Sequence, residues 1–384
     1  MNLCKSNRNA YNIIIVNSVA QLPKAWNDLI PAHHFLEAGR LALTEESGFP
    51  DLQFYYALIL RNNRPIGAAS FQLLHIKAHH ADSSRLSSLQ RYAWSAFAGV
   101  AHPKLLIAGH LFRHDIASFY AEEGLSPFEQ YQCYEQAIAA VSKKSCAHAV
   151  LVKDIPPPLI TYFRNYAPQY LMLRNDISME MPLATEWETL KDYEKALKHK
   201  YAQRFRKIRQ PWEQLTIKEL NAGEVAQNKH KIFSLYEQVS KKQPVRLGYL
   251  SADYLPYLKK KFPDDFYVWM AYEGGEPVAF FSAWSRQMTL DMFYIGIDYN
   301  RNEALQLYFN ILFFSVEQAI HRKKKKLILG RTALEAKARI GCKPMYLSTF
   351  LYIKNPVLRN LMLRAQQSLT HGEGEWENRH PFKQ

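Results

Sequence analysis

Apolar and polar positions follow an order that the chain uses twice. Gln53–Leu60 is an apolar run, Arg61–Pro65 a polar turn rich in asparagine, and Ile66–Leu74 a second apolar run, the pattern of a β-hairpin. Asp265–Tyr272, Glu273–Pro277 and Val278–Trp284 repeat it, down to a proline after the turn, Pro65 in one copy and Pro277 in the other. Behind each hairpin comes a further strand (Leu105–Ala108; Leu290–Ile297), then a helix, then a buried strand (Ala147–Val152; Leu327–Leu329). The first helix opens at Ser126-Pro-Phe-Glu129, a capping box with proline at the first helical position, and sets Phe128, Tyr131, Ile138 and Val141 on one face up to about Lys144. Asn300–Glu303 caps the second helix, whose apolar stripe holds Leu305, Tyr308, Phe309, Leu312, Phe313, Val316 and Ile320. Hairpin, strand, capped helix, strand, occurring twice, predicts an internal duplication of one α/β unit.

The remaining segments fit around that repeat. Ile13–Val16 reads as a strand, Leu22–Leu29 as a short helix around Trp26, and His33–Leu43 as helical in part. His75–Ala101 is an insertion of mixed character, expected as a loop over the first cleft. Pro156-Pro-Pro158 closes off the strand before it, and Ser178–Pro182 is expected to lead out of the first half. The expected division is therefore 1–182 and 183–384. Just past it, Lys191–Arg209 reads as one basic helix: Tyr201, Phe205 and Ile208 share a face, and Lys200, Arg204 and Lys207 a neighbouring one. That basic face is either solvated charge or a clamp for an anion, since ammonium and guanidinium groups suit phosphate. Lys259–Lys261 and Arg322–Lys326 read as exposed charge near element ends.

Bulk numbers narrow the class. At 384 residues the chain has room for two domains with sizeable cores. Lys+Arg 49 against Asp+Glu 35 gives a net charge of +14, which favours anionic partners: a phosphorylated cofactor, nucleic acid or an anionic membrane surface. No apolar run is long enough to span a membrane, and Asn12–Val16 is too short for a signal core. Cytoplasmic residence is expected. Cys4, Cys133, Cys146 and Cys342 lack metal-ligand spacing and are expected as reduced thiols. Adjacent His33 and His34 diverge on any regular element, so they make no metal pair. There is no Ser-His-Asp arrangement and no Walker loop.

Chemistry concentrates in 329–344. The strand Lys326–Leu329 runs into Gly330-Arg-Thr-Ala-Leu-Glu-Ala-Lys-Ala-Arg-Ile-Gly-Cys-Lys-Pro344. Thr332 and Glu335 stand at capping-box spacing, Glu335 and Arg339 are four apart, and Gly341 falls where a left-handed stop is wanted. Arg331 and Lys337 add positive charge near the two ends. The bland reading is a capped surface helix with one ion pair; the functional one is a polar site at the end of a sheet. Cys342 has no histidine nearby in sequence to activate it as a nucleophile.

This run resembles the signature of the bacterial GNAT-like acyltransferases of the tandem-domain Fem/BioF2-like group, and Tyr294–Tyr299 and Leu307–Leu312 are similar to the same group. The likeness is closest over about Lys191–Lys354 and covers the first half in layout only. It implies an α/β architecture of two tandem acyl-CoA N-acyltransferase-type domains, each a mixed twisted sheet flanked by helices. It also implies N-acyl transfer, expected to be acetyl, from acyl-CoA to a small-molecule or lipid- or peptidoglycan-precursor amine. Glu335 is then expected to position the amine or relay its proton, and Tyr299 to donate to the leaving group. Arg331, Lys337, Arg204, Arg206 and Lys207 are expected on anionic parts of donor or substrate; no metal is implied. In this fold a glycine-rich loop normally presents backbone N–H groups to the donor pyrophosphate, whereas Asp298–Glu303 contains no glycine. Two other readings therefore stay open: aminoacyl-tRNA as donor to a peptidoglycan precursor, and a non-catalytic protein that binds anions or a membrane surface.

Overall fold

A computed structural model describes residues 11–32, 34–49, 51–77, 80, 102–113, 116, 118–173, 177–243, 247–369 and 379–383. In chain order the elements begin with β1 (Asn12–Val16), α1 (Lys24–Leu29), α2 (Ala38–Glu46), β2 (Leu52–Arg61) and β3 (Arg64–His75). β4 (Lys104–Ala108), β5 (Phe119–Ala121), α3 (Pro127–Lys144), β6 (Ala149–Val152), α4 (Pro157–Tyr166) and β7 (Leu171–Leu173) follow. Then come β8 (Ile177–Pro182), α5 (Leu190–Ala196), α6 (His199–Arg209), β9 (Thr216–Glu219), α7 (Ala222–Gln227), α8 (Lys229–Ser240) and α9 (Tyr254–Lys261). The last are β10 (Phe266–Glu273), β11 (Glu276–Ser285), β12 (Thr289–Ile297), α10 (Tyr299–Leu305), α11 (Leu307–His321), β13 (Lys326–Gly330), α12 (Leu334–Arg339), β14 (Lys343–Tyr346), β15 (Thr349–Ile353) and α13 (Pro356–Leu369). The insertion expected over 75–101 lies mostly outside the described residues, as do Cys4 and His33.

The chain forms two compact units. Among the described residues, the sheet of the first runs β1-β2-β3-β4-β6-β15-β7, with β5 also on β3. Its hairpin turns at Asn62 and Asn63, both at positive φ, and asparagine is among the few side chains that accept that backbone in a two-residue turn. α3 carries the expected capping box, with the Ser126 hydroxyl accepting from the Glu129 N–H. It buries Tyr131, Tyr134, Ile138 and Val141 against this sheet, each such side chain favouring the fold by about 1.5–3 kcal/mol.

The second sheet runs β14-β8-β13-β12-β11-β10-β9. Its hairpin turns through Gly274 and Gly275, again both at positive φ. Among the described residues, one pair in each sheet is parallel, β4 with β6 and β12 with β13, and the other pairings are antiparallel. The duplication seen in the sequence is thus a duplication of topology. α11 is apolar nearly all round and packs into the second core through Leu307, Ile311, Phe313, Val316 and Ala319.

The chain departs from the sequence reading at five places. The compact units do not follow a 182/183 division: β8 pairs with β13 and β14 of the second sheet, while β15 completes the first. The basic helix expected over 191–209 is two helices. Leu197 is extended and bridges to Phe382, and the Lys198 N–H donates to the Pro381 carbonyl at 2.8 Å, so a backbone contact replaces a helical turn. The helix expected from Asn300 is broken at Gln306, which is left-handed, with α10 capped by Asp298 instead. α12 starts at Leu334 after a left-handed Ala333, so Thr332 does not cap it. Lys259 is buried, donating to the carbonyls of Pro263 and Phe266 at 2.7 and 2.8 Å.

Candidate active site

The second unit opens between its two parallel strands. β12 and β13 pair only over Thr289–Asp291 and Lys326–Ile328. Beyond that, β12 stays with β11 to Ile297 and β13 stays with β8 to Gly330, so the strands diverge. The register of β12 also slips: Phe281 faces Ile295 but Ala283 faces Met292. Ser282 holds this bulge, its Oγ donating to the Tyr294 carbonyl at 2.9 Å and accepting from the Tyr294 N–H at 3.1 Å. A bulge re-aims neighbouring side chains, and Met292, Phe293 and Ile295 all line the resulting gap. A Cβ at Gly296 would lie 2.5 Å from the backbone of Leu235 and Tyr236. Its absence lets α8 rest directly on β12 and brings Val239 and Gln243 to the same cavity. The matching pair in the first unit stays closed: β4 and β6 pair through Ala108 and Val152, the Lys153 N–H continues to the Ala108 carbonyl at 2.8 Å, and Lys153 Nζ donates to the His110 carbonyl at 2.8 Å.

Between β12 and β13 lies a cavity of about 680 Å³. Lys337, on α12, lines it although only 4% of the residue is exposed. Its Nζ donates to the Gly330 carbonyl at 3.2 Å, and burial lowers its pKa to about 8. Tyr299 lines it as well; burial raises its pKa, so its hydroxyl keeps its proton. The Tyr299 N–H donates to Gln238 Oε1 at 3.1 Å, and Lys242 Nζ stands 3.4 Å from the centre of its ring. The start of α11 is capped from the preceding turn: Asn302 Oδ1 accepts the Tyr308 N–H at 3.1 Å, and Gln306 is the left-handed link. The Tyr308 N–H, one of the amides a helix start leaves over, is thus already bonded within the chain.

The other expected site residues lie elsewhere in the second unit. Glu335 Oε1 accepts from Arg339 at 3.0 Å and from Arg379 at 2.9 Å. Burial pushes its pKa up, but the two guanidinium groups outweigh that and hold it below the ordinary value. Arg331 is half-buried on the loop before α12; neither it nor Glu335 is among the cavity's lining residues. On α6, Phe205 and Ile208 face the core. Arg204 stands over the Phe309 ring at 5.1 Å, its pKa lowered by burial and then by Arg339. Arg206 and Lys207 line a separate hollow of about 610 Å³, where Lys191, Arg206, Lys207 and Arg209 meet Glu194, Glu213 and Glu317; Arg206 pairs with Glu194 at 2.5 Å. Cys342 is buried and its thiol is pushed up to about 12, the opposite of an activated nucleophile. Among the described residues, no group of three or more His, Cys, Asp or Glu is placed to hold a metal, and no helix is long and apolar enough to cross a membrane. Sequence reasoning passed over Ser282, Asn302 and Gln306. Ser282 left a signal, being the one hydroxyl inside the run Val278–Trp284.

No protein-family profile matches the sequence, and a search of curated proteins finds no match. Solved structures do match. A tandem GNAT protein from the clavulanic acid biosynthesis pathway superposes with a TM-score of 0.51 at 10% identity, covering 90% of this chain and 99% of that one. FemX gives 0.48 at 8% identity over 84% and 93%, and L-PGS from Bacillus licheniformis 0.47 at 12% over 86% and 95%. At such identities the likeness is one of fold. The chain has a tandem GNAT-like fold, the architecture of GNAT acyltransferases.

Proposed function

We propose that the chain is an N-acyltransferase whose reaction takes place in the cavity between β12 and β13, with acyl-CoA as donor and an amine as acceptor. The divergence of the parallel pair carries this reading: a thioester can enter between the strands of the second unit, whereas the first unit's pair is closed. A neutral amine attacks the thioester carbonyl, the C–N bond forms, the C–S bond breaks, and the amine's proton leaves as the thiolate is protonated. Lys337 is the group we assign to the developing oxyanion. Its pKa of about 8 leaves it mostly charged at neutral pH, and a cation in a partly enclosed site stabilises an oxyanion strongly. Tyr299, protonated, is assigned to the leaving sulfur. With two guanidinium partners, Glu335 is a weak base; we assign it to holding α12, and so Lys337, in place. Arg331 and Arg204 remain assigned to anionic parts of donor or acceptor, and Arg206 and Lys207 to a peripheral hollow already furnished with carboxylates.

The capped start of α11 favours a second reading in which aminoacyl-tRNA is the donor, because it reduces the backbone cradle for a pyrophosphate. The test is thermal stabilisation by acetyl-CoA, longer acyl-CoAs and free CoA, with thiol release measured over a panel of amines. Ligand at a hundred times its Kd adds about 2.7 kcal/mol to apparent stability. A shift with acyl-CoA that Lys337→Ala removes supports the first reading. If no CoA species shifts the protein, and transfer from charged tRNA is abolished by nuclease, the second replaces it. Turnover with neither donor, with anion binding that fades steeply as salt rises, would mean a binding protein on an acyltransferase fold.

A further inference from the structure

The cavity between β12 and β13 is far larger than an acetyl group requires. At about 680 Å³ it lies within the range of about 300–1,000 Å³ that encloses a drug-sized ligand. Its lining is divided. Polar side chains come from α10 and the residue after it, the carboxylate of Glu303 included, from Gln243 past the end of α8, from Tyr308 on α11, from Thr332 before α12 and from Lys337 on α12, while Met292, Ile295, Ile297, Ile311, Leu312 and Leu329 are among the apolar walls. Ser315 also reaches the lining, but its hydroxyl donates to the Ile311 carbonyl of its own helix at 2.7 Å, so that bond is spent within the helix. An apolar wall of this kind gains nothing from water and gains free energy from each methylene laid on it.

We infer that the transferred group is an apolar acyl chain several methylenes long, taken from its CoA thioester and seated against the β12 and α11 walls. This rests on the acyl-transfer reading and narrows it. The balance is that of any aminolysis of a thioester: the acyl C–S bond breaks, the acyl C–N bond forms, and one proton passes from the amine to the CoA thiolate.

The experiment is a series of acetyl-, butyryl-, hexanoyl-, octanoyl- and decanoyl-CoA on the full chain, reading Kd by calorimetry and thiol release in steady state. Each added methylene should tighten binding about fourfold, with a plateau once the chain fills the walls. Ile295→Trp, which puts an indole into the same space, should move that plateau to a shorter chain. If Ile295→Trp does not fold, the wild-type series decides alone. Equal affinity for acetyl and octanoyl esters overturns the inference and leaves the acyltransferase reading standing; failure of every CoA ester to bind overturns both.

Discussion

Lys337→Met separates the cost of the buried lysine from its use. The fall of the Lys337 pKa from 10.5 to about 8 on burial corresponds, at about 1.4 kcal/mol per decade, to about 3 kcal/mol. Below pH 8 the side chain is charged in both folded and unfolded chains, and that penalty weighs on the folded state in full. Between about 8 and 10.5 the folded chain sheds the proton first, the unfolded chain binds more protons, and stability rises with pH. Above that window both states are neutral and the penalty is gone. Methionine removes the charge at similar length but forfeits the bond to the Gly330 carbonyl, worth about 1 kcal/mol. The variant should therefore be about 2 kcal/mol more stable than wild type at pH 7 and about 1 kcal/mol less stable near pH 11, the curves crossing between. Urea unfolding followed by tryptophan fluorescence at several pH values measures this. A variant destabilised at pH 7, or a difference that does not change with pH, would refute the account of Lys337 as a costly buried cation. On the proposed assignment of Lys337 to the oxyanion, acyl transfer should also collapse in this variant.

Two further outcomes follow from the C-terminal segment. Gly341 has φ +105 and a Cβ there would lie 2.3 Å from the Phe382 ring, so Gly341→Ala should cost about 1–3 kcal/mol, read as a lowered thermal midpoint; an unchanged midpoint would show that 379–383 does not pack as described. Glu335 is held below 4.5 by Arg379 and Arg339, so its contribution to stability is present above that pH and is lost as pH falls through the depressed value. Arg379→Ala should bring that loss to a higher pH, visible as an earlier acid limb in a pH-stability profile. An unmoved limb would remove Arg379 from the account.

Much of this fold was legible because its signals are local. Apolar alternation with Asn62-Asn63 or Gly274-Gly275 between the runs specifies a hairpin wherever it occurs, and the Ser126 box specifies where α3 starts. β15 and the placement of β8 were not legible: Thr349–Ile353 and Ile177–Pro182 take their partners from strands far away in sequence, and no local preference names a distant partner. The same limit applied at the site. The charges of 329–344 were visible, and Lys337 and Tyr299 do line the cavity. That Lys337 points inward while Glu335 is occupied by two arginines depends on the left-handed Ala333 and on Arg379, forty-four residues away. Burial of Lys259 shows the reverse error: a run of three lysines reads as solvated charge, yet one of them finds two carbonyls inside.

The two units bear on where chemistry resides. Duplication gave both the same hairpin and the same single parallel pair, so the difference between them cannot lie in topology. It lies at the ends of those pairs. In the first unit, backbone pairing continues through Lys153, whose ammonium then takes the His110 carbonyl; burial and the charges of Arg113 and Lys153 lower His110 to about 3, so it is neutral across the physiological range. In the second unit, pairing stops at Asp291 and Ile328, and Ser282 supplies the hydrogen bonds that a bulged Tyr294 would otherwise lack. Past the end of each pair, a lysine ammonium bonds a backbone carbonyl: Lys153 that of His110, Lys337 that of Gly330. Lys153 continues a closed ladder, and Lys337 gives a buried cation to an open one.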